Sequence, residues 1–275
     1  MVGEVDVVAR YVLDGSDEDL RRLLKISSVL APTTRAAITA APIDAGWTVL
    51  ECGCGPLGAM AILSELVGAE GRVVGLDFNP GTVERARSVV DELGLRNVEV
   101  QTGDINDSAC DAGGPYDLAF TRCFLMHQSH PQHTLERIAA HLRPGGWIVA
   151  MEPLWSPTPF AHPPMDAVGT AWEMLNRAAV SGGAAPAAVA DLADSARRAG
   201  LTVARSAGSF QYMDPEIGFA LHAATTTAAR DRIIATGAAT AGEVDAVIAE
   251  LEQARSADGW VSTPVSLVLA LRAIS

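Results

Sequence analysis

The stretch Trp47–Gly58, WTVLECGCGPLG, decides how the rest of the chain is read. Trp47 to Leu50 is a run of mostly apolar residues and reads as a short buried strand. Glu51 closes it, Gly53, Gly55 and Gly58 make a tight turn, and Ala59–Val67 (AMAILSELV) starts a helix. A strand, a glycine turn and a helix start, in that order, form a site for a nucleotide-like ligand. The glycines let the backbone approach the ligand, and the helix start offers unpaired N–H groups and a positive dipole end.

Gly53-x-Gly55-x-x-Gly58 has the spacing of the dinucleotide fingerprint, a spacing that plain structural turns also produce. Glu51 adds information. It stands two residues before the first glycine, where an NAD site usually carries an apolar side chain. A carboxylate there suits a ligand with a positive ammonium group, such as the methionine part of S-adenosylmethionine (SAM). Cys52, beside it, reads as a small turn-filling residue rather than a nucleophile.

At 275 residues the chain can bury a sizeable core as one large α/β domain with embellishments. Net charge is −13, which argues against a nucleic-acid or anionic-membrane surface, because phosphate binding relies on Lys and Arg. Cys52, Cys54, Cys110 and Cys123 show no disulfide framework; Cys52 and Cys54 flank a glycine in a turn too tight for a bridge, so reduced thiols are expected. No basic-plus-apolar signal opens the chain, and no apolar run approaches the ~20 residues that span a bilayer. A soluble cytoplasmic protein is expected.

Along the chain, Ser16 and Asp19 can cap a helix over Asp17–Ser28, and Pro32 starts another that runs to Ala40. This N-terminal cap, residues 1–40, packs on the core or forms a lid, with Tyr11 touching the cofactor. From Gly46 the pattern alternates: strands at 72–77 (RVVGLD), 98–101 (VEVQ), 116–121 (YDLAFT) and 147–152 (WIVAME), with helices from Asn79-Pro80 and over His133–Leu142. Arg143 to Gly146 reads as a turn. Alternation of this kind builds a Rossmann-like, mostly parallel sheet with its ligand at the carboxyl ends of the strands. A Pro-rich loop (152–166), helices at 167–180 and 186–199, a strand over 201–213, helices at 216–236 and 241–256, and an antiparallel last strand at 265–274 complete the chain. Residues 41–275 thus form the main domain, with inserts at about 153–185 and 214–260.

These residues resemble the class I SAM-dependent methyltransferases over roughly residues 46–152, with a weaker match to the end. VLECGCGPLG looks like that family's first motif, Asp77 ends the second strand 22 residues after Gly55, Gly103-Asp104 follows the third, and LRPGGWIVAMEP matches the turn before the fifth. NAD enzymes share the first two marks and not the last two. One departure is that the family commonly has glycine at the place of Leu57, whereas here it comes at Gly58. The resemblance implies that Asp77 accepts hydrogen bonds from both ribose hydroxyls, a helix-initiating role being the alternative. Asp104 would accept from the adenine amino group, with a solvated turn as its alternative. Ile105 would offer a backbone N–H, Phe78 would lie against the adenine face, and Glu51 would orient the amino group through water or backbone.

In this fold the residues after the fourth strand, Arg122, Cys123, Phe124, His127, Gln128 and His130, face the methyl group. Arg122 is assigned to the cofactor, and Phe124, His127 and Gln128 to the acceptor. His127 is the candidate base, because imidazole titrates near neutral pH; packing or capping is its alternative. His127, His130 and His133 share a spacing that invites a metal, but Pro131 interrupts a helical ladder and no metal is expected. Trp155, Phe160, His162, Met165, Trp172 and Met174 supply candidate acceptor walls. The expected activity is methyl transfer from SAM to O, N or C of an apolar small molecule of the secondary-metabolite kind. Alternatives are a cyclisation or rearrangement on the same fold, or a non-catalytic SAM-binding protein. A homodimer is an open option; nucleic-acid and membrane partners are not expected.

Overall fold

The computed structural model describes residues 17–273. Tyr11 and Ser16 lie outside the described residues. The described residues open with two helices, α1 (Asp17–Val29) and α2 (Ala31–Ile38). Alternation then follows: β1 (Thr48–Cys52), α3 (Met60–Val67), β2 (Arg72–Asp77), α4 (Pro80–Glu92), β3 (Val98–Thr102), β4 (Tyr116–Arg122), α5 (Pro131–Ala139) and β5 (Leu142–Pro153). After it come β6 (Ala161–His162), α6 (Asp166–Ser181), α7 (Leu192–Arg198), β7 (Leu201–Ser209) and β8 (Tyr212–Met213). The last elements are α8 (Pro215–Ala228), α9 (Arg230–Ala235), α10 (Ala241–Gln253), β9 (Trp260–Ser262) and β10 (Ser266–Ala273).

Seven strands form one sheet in the order β3-β2-β1-β4-β5-β10-β7. β1 to β5 run parallel, and β10 lies antiparallel to both β5 and β7. Strands buried on both faces read as continuous apolar runs, which is why RVVGLD was legible to the residue. One face packs Ile38, Met60, Leu63, Val83 and Ala86 of α2 to α4 on Val49, Val73 and Phe120. The other packs Leu135, Ile138, Leu192 and Ala196 of α5 and α7 on Leu50, Val74 and Ile148. A third core joins α6, α8, α9 and α10 through Trp172, Phe219, Ile233 and Val244. Thr34, Ala37 and Ile38 of α2 are buried, so this part of the N-terminal segment is core rather than attachment. No helix among the described residues is long and apolar enough to cross a membrane.

Several expected boundaries move, each for a local reason. β1 does not close at Glu51 but runs through Cys52, because Glu51 and Cys52 still pair with both β2 and β4. α5 starts at Pro131, where a missing N–H is harmless at the first helical position, and stops before Leu142. β5 already begins at Leu142, opposite Tyr116, and a shift before the Leu118–Trp147 pair absorbs the Pro-Gly-Gly segment within the strand. The helix expected over 186–199 divides into a 3₁₀ turn, Pro186–Val189, and α7, and that over 216–236 divides into α8 and α9. The strand expected over 201–213 leaves the large sheet after Ser209. There Gln211 exchanges two hydrogen bonds with Thr263, which turns β8 into a separate sheet of order β6-β9-β8.

Candidate active site

The carboxyl ends of β1, β2 and β4 meet at the glycine turn. The N–H groups of Gly53 and Cys54 both donate to Leu76 O, at 2.8 and 3.1 Å, which folds the turn back over β2. Gly53 (φ 67°) and Gly58 (φ 53°) lie in the left-handed region. A side chain at Gly53 would strike the Phe124 ring, and one at Gly58 would strike the Glu51 carboxylate. Only glycine satisfies both demands.

Glu51 is 1% exposed. Its Oε1 accepts from Ala59 N, at the start of α3, at 2.7 Å, and its Oε2 has no hydrogen-bond partner among the described residues. Burial pushes this carboxyl up to about 8, against the opposing pull of the Arg122 guanidinium. An orphaned acceptor of this kind is costly in a folded protein, and an ammonium group satisfies it; the donor set fits the methionine end of SAM. Arg122 lines the cavity with its hydrogen bonds committed to the fold. Nη1 donates to Thr34 Oγ1 at 2.9 Å, and Nη2 donates to Ser27 Oγ at 2.9 Å and Gly58 O at 3.0 Å. It joins α1, α2 and the glycine turn. Cys52 also lines the cavity, its thiol pushed up by burial and by Glu51.

Asp77 ends β2 with Oδ2 accepting from Gly55 N at 3.1 Å and Oδ1 from Asn79 N at 3.0 Å. Asn79, not Asp77, caps α4, accepting from Thr82 N, so each Asp77 oxygen keeps lone-pair capacity for ribose hydroxyls. Burial raises its pKa. Phe78, Asp104 and Ile105 line the same end of the cavity. Asp104 Oδ1 accepts from the backbone and side chain of Asn106, a turn that sets the loop after β3.

After β4 the chain bends sharply. Cys123 has φ 53°, the one non-glycine residue with positive φ among the described residues; burial and Glu152 push its thiol up to about 12. Glu152, unremarked in the sequence beyond its place in β5, is fully buried and fixes this bend. Its Oε2 accepts from Phe124 N (2.9 Å) and Met126 N (3.3 Å), and its Oε1 from Thr121 Oγ1 (3.0 Å). Burial pushes it up to about 7. Glu152→Ala strands these donors, so a loss of about 3 kcal/mol is expected in urea denaturation; a loss below about 1 kcal/mol would remove the bend-fixing role.

The bend carries Phe124, His127 and Gln128 to the cavity wall. Gln128 Oε1 accepts from Asn106 Nδ2 at 2.9 Å, linking the bend to the loop after β3. His127 is half-buried, and desolvation together with the Arg22 charge pushes its imidazole down to about 4. The three histidines do not converge: His130 precedes α5, and His133 faces Glu136 at 3.6 Å on its exposed side. Among the described residues no group of three His, Cys, Asp or Glu side chains could hold a metal ion.

One cavity of about 390 Å³ runs from the glycine turn to an apolar far wall. Trp155 and Trp172 line that wall as a stacked pair, centroids 4.3 Å apart. Leu20, Leu23 and Ile26 of α1 also line the cavity. Phe160 is not on it. With Phe210, Tyr212 and Trp260 it forms an aromatic cluster on the small sheet, 38% exposed, because β6 pairs with β9 and carries Phe160 away. Arg22 of α1 and His222 of α8 line the cavity without any mark in the sequence. Each lies in a helix with other polar residues, Arg22 directly after Arg21, so nothing local in the sequence set it apart.

The family model described as a methyltransferase domain matches residues 43–178. An uncharacterized 37.1 kDa protein in transposon TN4556 of Streptomyces fradiae is 35% identical over 121 residues, 44% of this chain and 34% of that protein. The aklanonic acid methyltransferase DauC of Streptomyces sp. (strain C5) is 32% identical over 110 residues, 40% of this chain and 50% of that protein. The chain therefore spans about a third to a half of the length of these curated relatives. Among solved structures, the geranyl diphosphate C-methyltransferase from Streptomyces coelicolor A3(2), in complex with Mg2+, geranyl diphosphate and S-adenosyl-L-homocysteine (SAH), shares the fold. It superposes with a TM-score of 0.55 at 14% identity, over 99% of this chain and 90% of that one.

Proposed function

We propose, from the premise that this chain belongs to the class I SAM-dependent methyltransferases, that it methylates an apolar small molecule at O, N or C. A secondary metabolite is the favoured acceptor class. The observation that carries the proposal is the continuous cavity joining the glycine turn, Asp77 and Asp104 to the Trp155–Trp172 wall. The likeness to DauC, an aklanonic acid methyltransferase by name, supports a small-molecule acceptor. So does the net charge of −13, which disfavours a nucleic-acid substrate.

SAM supplies an electrophilic methyl carbon on a sulfonium, so transfer is an in-line displacement that depends chiefly on alignment. The residues of the chain provide that alignment. Glu51 holds the ammonium, Asp77 the ribose hydroxyls, and Asp104 with Phe78 the adenine. The bend fixed by Glu152 presents Phe124, His127 and Gln128 to the acceptor, and the two tryptophans exclude water. His127 is neutral at pH 7 and acts there as a lone-pair acceptor. His127→Asn is expected to lower kcat about 100-fold with SAH affinity within about twofold; full activity would remove its role.

The test of the function is calorimetric titration with SAM and then SAH, followed by an assay of SAH release on apolar acceptors. Binding with Kd of about 1–100 μM and acceptor-dependent SAH release are expected. A folded protein that binds neither would overturn the assignment.

A further inference from the structure

α8 contributes Leu221, His222 and Thr225 to the cavity. His222 is 8% exposed, and its Nε2 lies 3.2 Å from Ser262 O on β9. A carbonyl oxygen can only accept, so Nε2 carries the ring proton and donates it to that contact. Burial pushes this imidazole below its usual range, which keeps the ring neutral at pH 7. The tautomer is therefore set from outside the cavity, and Nδ1 is left as a lone-pair acceptor with no hydrogen bond among the described residues. The same cavity is also lined by the apolar side chains of Trp155, Trp172, Leu175, Met213 and Leu221. The indole N–H groups of Trp155 and Trp172 are enclosed, with no hydrogen-bond partner among the described residues. The cavity wall thus holds an unmet acceptor in His222 Nδ1, a demand that a hydroxyl meets and a hydrocarbon does not.

We propose that His222 is a specificity-determining residue of the acceptor site: its Nδ1 accepts a hydrogen bond from a hydroxyl or N–H of the acceptor. The site thereby selects alcohols, phenols and amines over ethers and hydrocarbons of the same shape. The proposal rests on the small-molecule methyltransferase reading, and its test separates the two. 1-Naphthol and 1-methoxynaphthalene are matched probes that differ in the donor. Their affinities are measured by equilibrium dialysis against the whole chain with saturating SAH, and SAH affinity is measured in parallel.

The wild-type chain binds 1-naphthol about tenfold more tightly than 1-methoxynaphthalene, the effect of one buried hydrogen bond. His222→Phe brings that ratio close to one. His222→Asn, whose Oδ1 replaces Nδ1 as acceptor, keeps most of it. Equal affinities in the wild type, including no measurable binding of either probe, overturn the proposal, as does an unchanged ratio in His222→Phe. Where His222→Phe fails to fold, the wild-type and His222→Asn ratios decide, and loss of the ratio in His222→Asn overturns it. Absence of SAH binding strikes the methyltransferase reading, whereas the naphthol ratio reports on His222 alone.

Discussion

Asp77→Ala is expected to weaken SAH binding by about 100-fold or more while leaving the fold intact. The carboxylate keeps free lone pairs after binding Gly55 N and Asn79 N. Two ribose hydroxyls donating to it would each contribute about 1.5–3 kcal/mol, the range for hydrogen bonds to charged groups. The same substitution releases Gly55 N, so the turn that faces the ligand loses its tether. Stability moves the other way. Burial raises the pKa of Asp77, which means that the folded state bears a cost for the ionised form at neutral pH, and alanine removes that cost. Calorimetry and thermal melting on the same sample therefore separate ligand contact from scaffold. Loss of affinity with an unchanged or raised Tm supports the contact, and unchanged affinity would remove Asp77 from the cofactor site.

What the sequence made legible follows from how local each signal is. β2 was readable to the residue because a strand covered on both faces is apolar throughout, and Asp77 marks its end. Glu51 stood out because a carboxylate has no local reason to occupy the end of a buried strand; the structure supplies the reason in Ala59 N and an orphaned Oε2. Other features depend on distant partners. β9 is three residues long and acquires its pairing from β6 and β8, some 100 and 50 residues away, so no window of sequence contains it. That same pairing removed Phe160 from the cavity. Arg122 could be placed beside the site from its position after β4, but its bonds to Ser27 and Thr34 could not be foreseen, because they depend on how α1 and α2 return to the sheet. Glu152 and His222 were silent for a similar reason, their partners being mostly backbone groups that take position only in the fold.

Glu51→Gln is expected to stabilise the ligand-free protein, increasingly so as pH rises. The folded-state pKa of Glu51, about 8, lies above its ordinary value of 4.5. A raised acid holds a proton in the folded state that the unfolded chain releases. Its contribution is therefore fully present below about pH 4.5 and is lost as pH climbs through about 8. Between pH 5 and pH 8 the difference between variant and wild type should grow by about 3 kcal/mol in urea denaturation. Glu152, pushed up to about 7, gives both proteins a slope of the same sign, whereas the depressed His127 and His222 act only as pH falls below about 6.5. Comparing variant with wild type isolates Glu51 from all three. A ligand ammonium reverses the cost by pairing with the ionised carboxylate, so wild-type SAH affinity should rise from pH 6 to pH 8 with release of a proton. Titration in two buffers of different ionisation enthalpy measures that proton directly, and in Glu51→Gln it should vanish as affinity falls. Equal denaturation slopes would mean that Arg122 already offsets the burial of Glu51. The carboxylate would then be a structural anion tying the glycine turn to α3, and recognition of the ammonium would have to come from elsewhere in the cavity.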